Sequence, residues 1–230
     1  MGLTYRIRVT GQHASWHVDI HARDSSLALA QAILDGRKTQ TRRICKGARE
    51  LSRAADWPVE TCPYGQPGDR LWVREKWRIG AWNEDSGEFA IDYCDGPRRE
   101  YLSDPSDEDC EKFNDMWIEC CDELRAKGID VDIDGKYRWK PGDSPLRWRP
   151  SIHMPRWASR ITLEVTGVRV QRLADISQSD CRAEGCSESP DRHLTPRRQF
   201  MALWDSINAK RSPWASDPFC WVIEFQKVQP

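Results

Sequence analysis

The segment Gly36-Arg37-Lys38-Thr39-Gln40-Thr41-Arg42-Arg43 constrains the chain more than any other, because it sets an amine, two hydroxyls and several guanidinium groups directly behind a helix that must stop. Ser25 to Leu34 carries Leu27, Ala30, Ile33 and Leu34 at helical spacing. Ser25 or Ser26 can cap its start, and Gly36 supplies a left-handed stop. Lys38 is therefore expected just past a rigid end. If the chain then runs extended, Thr39, Thr41 and Arg43 line one face and Gln40 and Arg42 the other, so Lys38 and Thr41 converge only if Lys38 lies in the bend. A solvated basic turn is the plainer alternative, since runs of charge usually face water.

A second segment, Tyr64 to Trp77, places a Pro67-Gly68 turn ahead of an alternating strand, Leu71-Trp72-Val73-Arg74-Glu75-Lys76-Trp77. A helix ending in G-x-K-T-x-T-x-R and followed by P-G-D-x-L-x-V-R-E resembles the ASCH family, a PUA-related β-barrel. Trp148 to Arg160, with its Pro-Ser-Ile-His-Met-Pro-Arg-Trp-Ala-Ser-Arg run, is similar to ASCH proteins of tailed phages and prophages. The resemblance covers most of residues 27 to 226 and implies an α+β fold: a PUA-like, ASCH-type mixed β-barrel with short flanking helices and a helical insertion. A phage origin, with a host cytoplasmic location, follows from the resemblance alone.

The length of 230 residues favours one enlarged domain over two complete ones. With 35 Lys and Arg against 36 Asp and Glu, there is no global attraction to nucleic acid, so a binding face must be a local patch. The absence of a run of roughly 20 apolar residues predicts no membrane partner, and the lack of a secretory apolar core predicts a cytoplasmic protein with reduced thiols. The nine cysteines include no paired C-x-x-C. Cys181, Cys186 and His193 are only loosely grouped, so neither a metal nor a cofactor is expected.

Several of the twelve tryptophans are interleaved with arginines, as in Trp72 and Arg74, Trp77 and Arg78, Arg138 and Trp139, Trp148 between Arg147 and Arg149, and Arg156 and Trp157. Stacking faces beside cations suit single-stranded nucleic acid or a nucleoside. They equally suit buried strands locked by cation–π contacts.

Along the chain, residues 1–23 read as an extension in which Tyr5 to Val9 and Trp16 to Ala22 can pair as a hairpin. Residues 24–228 read as a single domain with an acidic, Gly-rich insertion at about 83–145. The insertion carries an amphipathic helix (Phe113, Met116, Trp117, Cys120, Leu124) that starts after Asp104-Pro105-Ser106 and stops at Gly128. Arg160 to Val170 alternates as a central strand with a bulge at Gly167. Ser177 to Asp180 reads as a capping box for a short helix ending at Glu184-Gly185. Thr195-Pro196 opens another helix, and Trp221, Ile223 and Phe225 alternate along a final strand.

Some small ASCH proteins hydrolyse the amide of N4-acetylcytidine with a lysine and threonine of the G-x-K-x-x-T turn and a glutamate after the capped helix. The resemblance carries these roles to Lys38, Thr41 and Glu184 as catalytic candidates. Such a reaction asks for a nucleophile or positioned water, a charge on the developing oxyanion, and a proton shuttle. Burial lowers a lysine pKa whereas a nearby carboxylate raises it, so a Lys38–Glu184 contact argues for a charged, oxyanion-stabilising lysine. Arg43, Trp72, Arg74, His153 and Arg156 are the candidates for binding a nucleoside, nucleotide or single-stranded RNA. The resemblance also leaves open a non-catalytic RNA-binding module and a ribonuclease, which fold alone does not separate.

Overall fold

The computed structural model describes residues 15–19, 25–45, 58–83, 86, 88–102, 110–191 and 193–228. Strands β1 (Ser15–Asp19), β2 (Gln40–Ile44), β3 (Arg70–Arg74), β4 (Trp77–Asn83), β5 (Glu88–Tyr93), β6 (Gly96–Leu102), β7 (Thr162–Arg172) and β8 (Phe219–Val228) are interspersed with helices α1 (Ser25–Leu34), α2 (Cys110–Ala126), α3 (Gln178–Ala183) and α4 (Pro196–Asn208). This is a mixed α+β architecture with antiparallel sheets. The chain divides into two compact units, Met1–Val73 with Arg160–Pro230, and Arg74–Ser159. The second unit contains the stretch expected to be an insertion.

In the first unit, α1 buries Ala30, Ala32 and Ile33 and is closed by Gly36 at φ 73°, whose N–H donates to Ile33 O at 3.0 Å. The Lys38 N–H then donates to Ala32 O at 2.8 Å, folding the chain back along the helix it has just left. Five strands form a sheet in the order β1-β3-β7-β8-β2. The expected barrel is not closed: among the described residues β2 pairs only with β8, and β1 lies beside β3. Closure would require the two outer strands to exchange backbone hydrogen bonds, and they remain edges.

The anticipated bulge lies in β7, where the register to β8 jumps between Val165 and Gly167. A Cβ on Gly167 would come within 2.9 Å of Glu224 Oε2, so any larger residue at the bulge would have to displace the end of that β8 side chain. The two faces of the sheet differ. Leu71, Val73, Leu163, Val165, Trp221, Ile223 and Phe225 share one apolar cluster with Ile33 and Ile161. Leu173, Ile176, Cys181 and Cys220 share another with Phe200 and Trp204 of α4. Fully burying one such aliphatic side chain stabilises a fold by about 1.5–3 kcal/mol. Of the N-terminal hairpin, Tyr5 to Val9 lies outside the described residues.

In the second unit β4, β5 and β6 form an antiparallel meander. The strand expected to run through Leu71 to Trp77 is instead two: β3 ends at Arg74 and β4 starts at Trp77. At the break the Glu75 N–H donates to Met154 Sδ at 3.2 Å, a bond that no ladder neighbour supplies. The register of β4 on β5 shifts at Gly80, where an added Cβ would lie 2.4 Å from the buried Asp92 carboxylate. α2 buries Cys120, Cys121 and Leu124, and Gly128 follows it at φ 70°. The chain before Cys110, including the expected helix start at Asp104 to Ser106, lies outside the described residues.

Candidate active site: a buried lysine between two helix ends

The site is assembled by two chain reversals. Ser177 caps α3 in a reciprocal box with Asp180, and Glu184 forms the C-cap. The next residue, Gly185, is left-handed at φ 97°, and a Cβ there would lie 3.4 Å from both Lys38 Cβ and Ala32 Cβ. Glycine is favoured here by the left-handed turn, and the chain passes in van der Waals contact with the lysine stem. Lys38 and Glu184 pair as an antiparallel bridge, supported by the Thr39 N–H donating to Ala183 O at 2.8 Å.

The Lys38 ammonium donates to Glu184 Oε2 at 2.8 Å, to Glu184 O at 2.9 Å and to Gln40 O at 2.7 Å, which uses all three of its N–H groups. The two side chains are only 6% and 4% exposed. Arg42, 1% exposed, occupies the other carboxylate oxygen: Nη1 donates to Glu184 Oε1 at 3.1 Å. Its Nη2 donates to Asp180 Oδ2 at 3.0 Å and to Gln171 Oε1 at 3.1 Å, and the guanidinium lies 5.8 Å from the centre of the Phe200 ring. Asp180 Oδ1 accepts from Arg169 Nη2 at 3.0 Å, and Arg169 Nη1 also reaches Glu224 Oε1. Lys38, Arg42 and Arg169 thus alternate with Glu184, Asp180 and Glu224 in one ionic chain.

Burial pushes the Lys38 ammonium below its usual pKa of 10.5, and the Glu184 charge and hydrogen bond offset this only in part. Burial raises the Asp180 carboxyl, but Arg42, the Ser177 N–H and Arg169 outweigh it and hold the group below the usual 3.8. The nearby Cys186 thiol is pushed up to about 12, chiefly by burial, so it stays protonated and chemically quiet.

Of the candidates from the sequence, the structure brings Lys38 and Glu184 together. Thr41 is buried, but its Oγ1 accepts from Arg43 Nη1 at 3.1 Å, and alternation along β2 sets Thr41 and Arg43 on the side opposite Gln40 and Arg42. Arg43 Nη1 also donates to Arg42 O at 3.1 Å. Trp72 is buried in β3 opposite Thr162. Arg74, His153 and Arg156 belong to the second unit. There Arg74 Nη1 donates to Ile152 O at 3.0 Å beside the exposed His153, and Arg156 is exposed in a following turn.

Arg42, Asp180, Arg169 and Gln171 were not among the sequence candidates. The spacing of Asp180 and Glu184, four residues apart across a short capped helix, was the available sign of a shared cation. Several Trp–Arg neighbours prove to be packing within the second unit, with Arg78 4.6 Å from the Trp148 ring and Arg149 5.6 Å from the Trp77 ring. Cys181 is fully buried and His193 exposed. Among the described residues, no group of three or more His, Cys, Asp and Glu side chains is placed to hold a metal ion, and no helix is long and apolar enough to cross a membrane.

No protein-family model matches the chain, and no curated protein sequence matches it. Among solved structures, the chain is similar to the high-resolution crystal structure of the ASCH domain from Lactobacillus crispatus JV V101, at 11% identity and a TM-score of 0.38 over 93% of this chain and 78% of that one.

Proposed function

We propose that this protein is an ASCH-type, PUA-like amidohydrolase that removes the acyl group from N4-acylated cytidine-type nucleosides, with the Lys38–Glu184 pair as its chemical centre. The observation that carries the reading is the buried 2.8 Å ion pair between residues 146 apart in sequence, because an ammonium and a carboxylate withdrawn from water on one spot can act on a polarised carbonyl. In this reading water adds to the acyl carbon and Glu184 accepts its proton. The Lys38 ammonium stabilises the oxyanion, the C–N4 bond breaks, and the proton passes from Glu184 to N4, giving the carboxylic acid and cytidine. Delocalisation of the N4 electrons into the ring makes this a better leaving group than an alkyl amine. Thr41 and Arg43, on the opposite side of β2, serve in positioning rather than attack.

Incubating wild-type protein and Glu184→Gln with N4-acetylcytidine and resolving cytidine by chromatography tests the reading. Release by the wild type, reduced about 100-fold or more in a folded Glu184→Gln, is expected. No release at high protein concentration rejects it.

A second reading, a non-catalytic module for single-stranded RNA, is favoured by the saturation of the Lys38 donors inside the protein. It predicts salt-dependent retention of labelled single-stranded RNA with no cytidine release.

A further inference from the structure

We infer that Arg42 is a positioning residue for this centre, a permanently charged second counter-ion that holds Glu184 in place and leaves Lys38 as its movable, titratable partner. The inference rests on the amidohydrolase reading for its catalytic consequence, and on geometry alone for its physical content.

A buried carboxylate with one counter-ion holds it tightly, because the charge left behind would be unpaired and out of water. Glu184 has two. Lys38 occupies Oε2 and Arg42 occupies Oε1, so the ammonium can turn from Glu184 toward another anion while the carboxylate stays paired. Arg42 is itself tied at its other nitrogen to Asp180 and Gln171, and its guanidinium does not lose its proton in a protein. Lys38 has the opposite character: a flexible four-carbon stem and a charge that burial already disfavours.

The elements packed around Lys38 carry further ionisable groups, among them the thiols of Cys181 on α3 and Cys220 on β8, both pushed up by burial. α3 contributes Glu184 and Asp180, the turn after it Cys186, and β2 Arg42 and Arg43. β7 contributes Arg169 and β8 Glu224, which pair with each other. α4 contributes Arg197, which donates to Ile176 O and Ala174 O, and α1 contributes Asp35, which is exposed and bonded by Gln31 and Arg37. Among the described residues, only Arg42 of the cations shares the carboxylate with Lys38.

The test is the titration of Lys38 by NMR of its Nζ and Cε in wild type, Arg42→Gln and Arg42→Lys, assigned with Lys38→Met. Removing the fixed charge leaves Glu184 to Lys38 alone, so Arg42→Gln should raise the Lys38 pKa by about one pH unit. Arg42→Lys keeps the charge and should stay within a few tenths of wild type. If Arg42→Gln does not fold, Arg42→Lys alone decides, and a change of one pH unit or more in it overturns the proposal. An unchanged Lys38 in a folded Arg42→Gln also overturns it. In the N4-acetylcytidine assay, the basic limb of the pH–rate profile should move up by the same amount. One pH unit above the wild-type limb, Arg42→Gln should then keep about half its plateau rate where wild type keeps about a tenth. Absence of cytidine release by the wild type would sink the amidohydrolase reading and leave the titration to decide the role of Arg42.

Discussion

Each unit of this protein buries an ion pair, and the two differ in the cation they use. In the second unit Arg78 meets Asp92 at 3.0 Å, with the carboxylate 3% exposed. The guanidinium also donates to Ser144 O at 2.6 Å and to Gly142 O, and lies against the Trp148 face. Every contact of Arg78 ties one piece of chain to another, and its charge is permanent. In the first unit the corresponding cation is a lysine whose charge burial disfavours, and its carboxylate has a second cation in reserve. A pair that only needs to hold uses arginine. A pair whose proton or partner must change uses lysine, with arginine behind it.

The contrast is sharpest in stability. Asp92→Ala leaves a buried guanidinium that cannot neutralise itself, and should cost about 3–5 kcal/mol in urea unfolding, to the same extent at pH 7 and pH 9. Glu184→Ala should cost less, and its cost should shrink at pH 9, because Lys38 can shed its proton and Arg42 keeps Asp180. Equal, pH-independent losses for the two variants would erase the distinction.

The wild-type pH dependence follows from the same groups. The folded pKa of Lys38 is depressed, so between that value and the unfolded 10.5 the unfolded chain holds more protons and stability rises with pH. Lys38→Met should flatten that rise. The folded pKa of Asp180 is also depressed, so its contribution is complete above 3.8 and disappears as pH falls through the lower folded value. Acid unfolding of Asp180→Asn should lack this step. The smallest effect expected is for Ser177→Ala, which removes one half of the capping box and should cost about 1 kcal/mol.

Much of the scaffold of the site was legible in the sequence, because local rules governed it. The spacing of Ala30 and Ile33 with the stop at Gly36 marked α1, the Ser177–Asp180 box marked α3, and Gly167 marked the β7 bulge. Other features depended on distant partners. The alternation of Leu71 to Trp77 runs through the break at Glu75 without a sign of it, since the Glu75 N–H there is bonded by the sulfur of Met154, 79 residues away. Residues Phe89 to Tyr93 in β5 are all buried, including Asp92, so neither alternation nor polarity announced a strand there. Arg42 stood in a basic run for which a solvated turn was the plainer alternative, and the two carboxylates that pair with it lie about 140 residues away and meet it only in the folded chain.

The account turns on Lys38–Glu184 as a chemical centre and Arg78–Asp92 as a structural one, and cytidine release from N4-acetylcytidine by wild type, Lys38→Met and Asp92→Asn tests this directly. With all three proteins folded at the assay temperature, the account predicts release by the wild type, a loss of about 100-fold or more in Lys38→Met, and a rate within a few-fold of wild type in Asp92→Asn. No release by the wild type, or release undiminished in Lys38→Met, would contradict it.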